Sequence, residues 1–205
     1  MSDAPAAQSP AVRRNLVRDS AATDVALIAT FAALITACAL LPAITIAVVP
    51  VPITLQTFAV LLTGAVLGPR RALLTLGLYL AIGMAGVPVF SMGRTGLAVL
   101  AGPSAGYVVA FPIAAALVGV LVGRIPARAG RTARVALTFA ACAAATALVI
   151  YPLGIAGMAW RLDLTAAEAF VANAAYIPGD LVKCTAAAVT ATAVLRAFPR
   201  LQRRA

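Results

Sequence analysis

Asp180-Leu-Val-Lys-Cys-Thr-Ala-Ala-Ala-Val-Thr-Ala-Thr-Ala-Val-Leu-Arg-Ala-Phe198 closes the apolar part of the chain, and its reading decides the fold. The stretch approaches the roughly 20 residues that an α-helix needs to cross a bilayer. It nevertheless carries an acid and a base at its start. A central Asp or Lys in a spanning helix costs about 2.5–3.5 kcal/mol on insertion scales, so such residues face a protein interior or a water-filled cavity. Lys183 is the single lysine among sixteen basic residues. Its compact ammonium differs physically from the planar guanidinium fork used everywhere else. Residues at i and i+3 share a helix face, so Asp180 and Lys183 can pair with each other and with one ligand. Asp180 alone has a plainer reading as the helix N-cap after Pro178-Gly179. Lys183 is harder to dismiss, because a cation in the first turn sits at the wrong end of the helix dipole.

Outward from this span the composition points the same way. Of 205 residues, 63% are hydrophobic and 11% charged, whereas an ordinary soluble domain is about 45–50% apolar. Five or six apolar stretches approach spanning length, and the weak ten-residue alternation of outer-membrane barrels is missing. The expected class is an all-α membrane protein with one domain. The net charge of +10 does not indicate nucleic acid, because the arginines fall in short clusters between apolar runs rather than on one polar or aromatic surface. With no His, and with Cys38, Cys142 and Cys184 on separate spans, neither a metal-ligand spacing nor a redox pair is present. The cysteines read as small packing residues.

Six spans are expected, at about 24–41, 55–67, 72–85, 105–122, 135–160 and 180–198. Residues 1–23 form a polar tail without the apolar core of a signal peptide, residues 24–198 the membrane domain, and residues 199–205 a basic tail. Pro50 and Pro52 among β-branched neighbours make 44–53 extended or a hairpin. Gly68-Pro-Arg-Arg71 makes a short basic turn, and Gly86 to Ser104 a long loop. Pro152, Gly154 and Gly157 should loosen the second half of the fifth span. Thr165-Ala-Ala-Glu168 is a capping-box pattern that starts a short helix before the sixth span.

With the N-terminus cytoplasmic, thirteen arginines fall on inside segments and only Arg94 and Arg161 outside. The positive-inside rule therefore predicts both termini in the cytoplasm. The long loop, the Thr165 helix and the Asp180 end then lie outside, so the polar cluster opens outward. No internal repeat of the secondary-transporter kind is evident. A phosphate-binding loop is also missing, so any ATP chemistry must come from another subunit.

Further candidates surround this cluster. Arg94 lies between Phe90-Ser-Met-Gly93 and Thr95-Gly96, and together with Lys183 it suits a carboxylate; its plainer role is a snorkelling interface charge. Gln56 is an amide in an apolar run, more often glue between helices than a ligand contact. Tyr79, Phe90, Tyr107 and Tyr176 are candidate pocket walls, or belt residues at the membrane interface. Ala29, Ala33 and Ala37 recur every fourth residue on one face of the first span, a candidate docking surface for a partner helix or an internal packing seam. Gly64-x-x-x-Gly68 and Gly119-x-x-x-Gly123 read as packing inside the bundle.

Val51-Pro-Ile-Thr-Leu-Gln56, Leu67-Gly-Pro-Arg-Arg71, Gly86-Val-Pro-Val-Phe90, Gly102-Pro-Ser-Ala-Gly-Tyr107 and Ile177-Pro-Gly-Asp-Leu-Val-Lys183 resemble, in order and spacing, the BioY family. Its members are biotin-specific substrate-binding (S) components of energy-coupling factor (ECF) transporters. The resemblance spans roughly 25–197. It implies a six-helix, multi-pass protein of the cytoplasmic membrane that takes biotin as transported ligand from the outer face. Its partners would be a transmembrane coupling subunit and cytoplasmic ATPases, with the Ala29, Ala33, Ala37 stripe as docking face. Asp180 and Lys183 match the acid and lysine used for ligand binding, and Arg94 falls at a polar position in the loop over the site. Biotin's carboxylate suits Arg94 or Lys183, its ureido N–H groups suit Asp180, and its apolar ring and chain suit Phe90 and Tyr107, as in mostly apolar pockets. No catalytic residue, metal or cofactor is implied. The competing readings are a membrane enzyme with Asp180 as general base, a transporter subunit for another small carboxylate vitamin, and a structural scaffold.

Overall fold

A computed structural model describes residues 21–45, 51–199 and 201. Arg13, Arg14 and Arg18 in the expected N-terminal tail, and Arg200, Arg203 and Arg204 in the C-terminal one, lie outside the described residues. The first helix, α1 (Ala21–Leu40), begins three residues inside the segment expected to be tail. Ile35, Cys38 and Ala39 on one of its faces are buried. Of the 44–53 segment expected to be extended or a hairpin, Ile44 and Ile53 form an antiparallel bridge, each N–H bonded to the other's carbonyl at 2.9 Å, and 46–50 lie outside the described residues.

The next helical stretch, α2 (Gln56–Met84), is continuous except at Gly68, whose φ of 76° and ψ of 174° leave the helix. A straight helix would separate Gln56 from Tyr79 by about 35 Å at 1.5 Å per residue. Instead Gln56 Nε2 donates to Tyr79 Oη at 2.9 Å, so the chain doubles back at Gly68-Pro69. Glycine tolerates that left-handed φ, and proline's fixed φ suits the first turn of the returning arm. The turn expected between two separate spans is thus a one-residue reversal. The first arm is buried on nearly every side. In the second, Ala72, Thr75, Leu76, Tyr79 and Gly83 face inward with helical spacing, while Leu73 and Leu74 face out.

Two short helical turns, Ser91–Gly93 and α3 (Ala98–Ala101), lie in the long loop before α4 (Ala105–Gly123). The main packing partner of α2 is α4, with α1 and α8 on its other sides. Gly64, Gly68 and Gly119 of the two glycine patterns serve the α2–α4 crossing, whereas Gly123 is exposed and a Cβ on it would meet nothing within 4 Å. A Cβ on Gly64 would collide with the Ala115 carbonyl, and one on Gly119 would lie 2.5 Å from Pro69 N.

Helix α5 (Arg131–Ala145) passes through a widened π turn, Thr146–Ile150, into α6 (Tyr151–Leu162). The irregularity sits one turn before the Pro152 and glycine positions expected to loosen this span. Proline lacks an N–H and its ring crowds the carbonyl four residues earlier, so the disturbance falls on its N-terminal side. Helix α7 (Ala166–Ala174) starts with the anticipated capping box: Thr165 Oγ1 accepts from Glu168 N–H at 3.3 Å, and Glu168 accepts from Thr165 N–H at 2.8 Å. Bonds from the Thr165 side chain and backbone hold the Glu168 carboxyl below its ordinary pKa. The last helix, α8 (Ile177–Ala197), begins earlier than position 180, because Pro178 starts the helix rather than breaking it.

Among the described residues the architecture is all-helical, with no strand beyond the single bridge. Four stretches are long and apolar enough to cross a membrane: Ala21–Leu40, Gln56–Met84, Ala105–Gly123 and Arg131–Leu162. Leu148 is 71% exposed, Val182 69% and Ile113 50%. Such an apolar exterior is costly in water and natural in lipid.

Candidate ligand-binding site

The N-terminal ends of α2, α4 and α8 meet at one end of the bundle around a mostly apolar cavity that is partly open to solvent. The six residues singled out as ligand contacts all line it: Gln56, Phe90, Arg94, Tyr107, Asp180 and Lys183. The segment 51–57, the loop preceding α4 and Ile150 supply further walls.

Two anchors hold the segments around this cavity. Tyr176 Oη donates to the Val51 carbonyl at 2.9 Å, fixing the segment that leads into α2. Arg161, stacked on Trp160 with its guanidinium carbon 4.0 Å from the ring centroid, donates to the Leu100 carbonyl at 2.7 Å. That bond ties the long loop to α6.

On the α8 side, Lys183 Nζ lies 2.9 Å from Asp180 Oδ1, and Tyr151 Oη donates to Asp180 Oδ2 at 3.1 Å. Asp180 and Lys183 retain only 6% and 9% of their exposure. Two buried opposite charges that neutralise each other escape the penalty of an isolated buried ion. The capping reading of Asp180 does not hold. Tyr176 occupies the cap position, with no side-chain cap bond, while Asp180 lies in the first turn with its own N–H bonded to Tyr176 O at 2.9 Å. Its carboxylate reaches Lys183 and Tyr151 instead.

On the loop side, Arg94 Nε donates to the Ser91 carbonyl at 3.2 Å, and Arg94 pairs with no carboxylate among the described residues. The charged residues lining the cavity are Arg94, Asp180 and Lys183, which sum to one net positive charge. An anionic ligand is electrostatically suited to such a site.

Gln56 both braces the helices and borders the cavity, since its amide donates to Tyr79 while it remains a lining residue. Tyr79 is a correction. It is 1% exposed and does not line the cavity. Its hydroxyl donates to the Val89 carbonyl at 3.0 Å, and its ring meets Phe90 edge-on at 5.4 Å, so it supports the wall from behind. Phe90 is a wall residue. So are Tyr107 and Tyr176, whose rings meet edge-on at 5.9 Å. Tyr107 Oη donates to buried Asn173 at 2.8 Å. Tyr151, Asn173, Ser91 and Ser104 were not anticipated. Tyr151 precedes Pro152 in an apolar span, and nothing local relates it to an acid 29 positions away.

Ala29, Ala33 and Ala37 are all exposed, with Ala22, Ala26 and Thr30 beside them. The small-residue stripe is therefore not an internal packing seam. It forms a smooth outward face of α1.

The BioY family's sequence pattern matches residues 9–200. The chain belongs to the BioY family. A protein described as biotin transporter BioY from Rhizobium etli is 39% identical over 89% of this chain and 98% of its own length. A BioY biotin transporter from Rhodobacter capsulatus is 37% identical over 86% of this chain and 95% of its own. A probable biotin transporter BioY from Bacillus subtilis is 34% identical over 85% and 91%. The crystal structure of the S-component for biotin from an ECF-type ABC transporter covers 88% of this chain and 95% of that one, with a TM-score of 0.78 at 23% identity. That likeness shows a shared fold. With several spanning-length helices in a transporter family, this BioY chain is a multi-pass membrane protein.

Proposed function

We propose that this chain captures biotin from the outer side of the cytoplasmic membrane as the substrate-binding subunit of an ATP-driven ECF transporter. One observation carries the reading: Arg94, Asp180 and Lys183, from two distant parts of the chain, border a single mostly apolar cavity. Biotin has a charged carboxylate, a ureido ring with donors and an acceptor, and an apolar ring and chain between them. The cavity offers a cation, an ion pair, and aromatic and aliphatic walls. Membership of a family whose relatives carry the name biotin transporter supports the same ligand.

Six spans follow when the two arms of α2 count separately and α8 is included. The excess of arginine on alternate connections favours cytoplasmic termini and an outward cavity. The exposed alanine stripe of α1 supports docking onto a transmembrane coupling subunit, whose cytoplasmic ATPase partners would drive release. Uptake that survives loss of ATP hydrolysis would sink the coupled reading.

Calorimetric titration of the detergent-purified chain with biotin tests the function. One-site binding that is weakened at least tenfold by Asp180→Asn and by Lys183→Met is expected. A folded protein that gives no heat with biotin would return the ligand to another small carboxylate. Biotin recovered chemically altered would favour the membrane-enzyme alternative.

A further inference from the structure

We propose that the hydroxyls of Ser91 and Ser104 join Arg94 in a seat for the ligand's carboxylate on the loop side of the cavity; the inference rests on the biotin reading. Four buried side-chain atoms lack a hydrogen-bond partner among the described residues: Arg71 Nη1, Ser91 Oγ, Ser104 Oγ and Thr192 Oγ1. The two serines both line the cavity. A buried hydroxyl without a partner is costly and calls for an explanation. A serine hydroxyl swings by rotation about one bond and can donate to an anion.

The ordinary explanation for a serine at the start of a helix fails for Ser104. It holds the N-cap position of α4, but its φ of −83° and ψ of −3° are helical rather than extended, and its side chain makes no capping bond. The first-turn N–H groups of a helix have no intrahelical acceptor, and the dipole there favours negative charge. Ser104, 8% exposed, is thus a buried and unengaged donor beside a cavity at the anion-favouring end of a 19-residue helix. Arg94 links it to Ser91. Its Nε is bonded to the Ser91 carbonyl, and its Nη1 would lie 3.6 Å from a Cβ on Gly102, two residues before Ser104.

The distribution of charge selects the carboxylate as the group received. The Lys183 ammonium is already met by Asp180 at 2.9 Å. The α8 pair therefore presents balanced charge, suited to a neutral group that donates and accepts, such as a ureido ring. Arg94 carries the uncompensated charge. A guanidinium with hydroxyl donors close by in sequence matches the several lone pairs of a carboxylate.

The experiment titrates the full-length protein with biotin and with its neutral carboxamide, for the parent, Ser91→Ala, Ser104→Ala and Asp180→Asn. The parent should prefer biotin by at least tenfold. Each serine substitution should weaken biotin by about tenfold, the loss expected for one hydrogen bond to a charged group. The carboxamide should change less than threefold, so the preference narrows. Asp180→Asn should weaken both ligands alike. If the parent binds biotin and carboxamide equally, the seat is refuted without recourse to any variant. It is equally refuted if the serine variants leave biotin affinity unchanged or weaken both ligands to the same extent. A folded parent that binds neither ligand overturns the biotin reading itself, and the seat with it.

Discussion

Lys183 is held in a nearly dry environment by one carboxylate, and that arrangement has a consequence for stability separate from ligand binding. Removing one partner of a buried ion pair leaves an uncompensated charge and costs about 3–5 kcal/mol, whereas replacing both together is often close to neutral. In ligand-free protein, Lys183→Met should therefore lower the thermal unfolding midpoint markedly, and Asp180→Asn combined with Lys183→Met should recover most of the loss. Biotin binding should stay impaired in both. Unfolding scans in detergent distinguish this from a pair that is solvated, for which the single and double variants would melt alike. The pair itself is legible in the sequence, because a lone lysine three residues after an acid stands out in an apolar helix. Its third member is not: Tyr151 reaches Asp180 only because α6 and α8 converge. Ser91 and Ser104 are hidden for a related reason. Serine is commonplace in loops and at helix starts, and only the folded structure reveals that these two hydroxyls have no partner among the described residues.

Elements approach closely where the sequence supplies glycine. Gly64 and Gly77 lie on opposite arms of α2, and their surroundings differ sharply. A Cβ on Gly64 would strike the Ala115 backbone, while one on Gly77 would meet nothing within 4 Å. Gly64→Ala should force α2 and α4 apart at a cost of about 1–3 kcal/mol, the usual range for overpacking. Gly77→Ala should instead stabilise the second arm by about 0.5–1 kcal/mol through helix propensity. Paired thermal melts check both signs, and equal shifts would show that α2–α4 packing yields to the added methyl. The helices were readable from apolar runs and punctuation: the Gly68-Pro69 turn, the Thr165 capping box and α4 all fall close to their expected places. The start of α8 falls before position 180 because Pro-Gly can end one helix or open the next, and here it opens one. The neighbouring Tyr176 N-cap, which decides between these, gives no side-chain signal. The π turn before Pro152 was displaced for a physical reason, since proline disturbs the carbonyl preceding it.

At the scale of the whole molecule, charge and cavity are arranged along one axis. Arg94 and Arg161 belong to the cavity end, where Arg94 borders the site and Arg161 ties down its loop. Arg124 and Arg128 in the connection from α4 to α5, with Arg131 and Arg134 in the first turn of α5, cluster beyond the other end of α4. Moving arginine across a bilayer is unfavourable, and short loops rich in arginine stay cytoplasmic. If the cavity opens outward, a cysteine placed at exposed Met92 should react with a membrane-impermeant maleimide in intact spheroplasts, and biotin should slow that reaction by ordering the loop. A cysteine at Arg128 should react only after permeabilisation. The native Cys38, Cys142 and Cys184 are buried and should contribute little background. The reverse labelling pattern would put the cavity on the cytoplasmic side, where capture of external biotin is impossible. It would therefore refute the transport direction while leaving fold and ligand untouched.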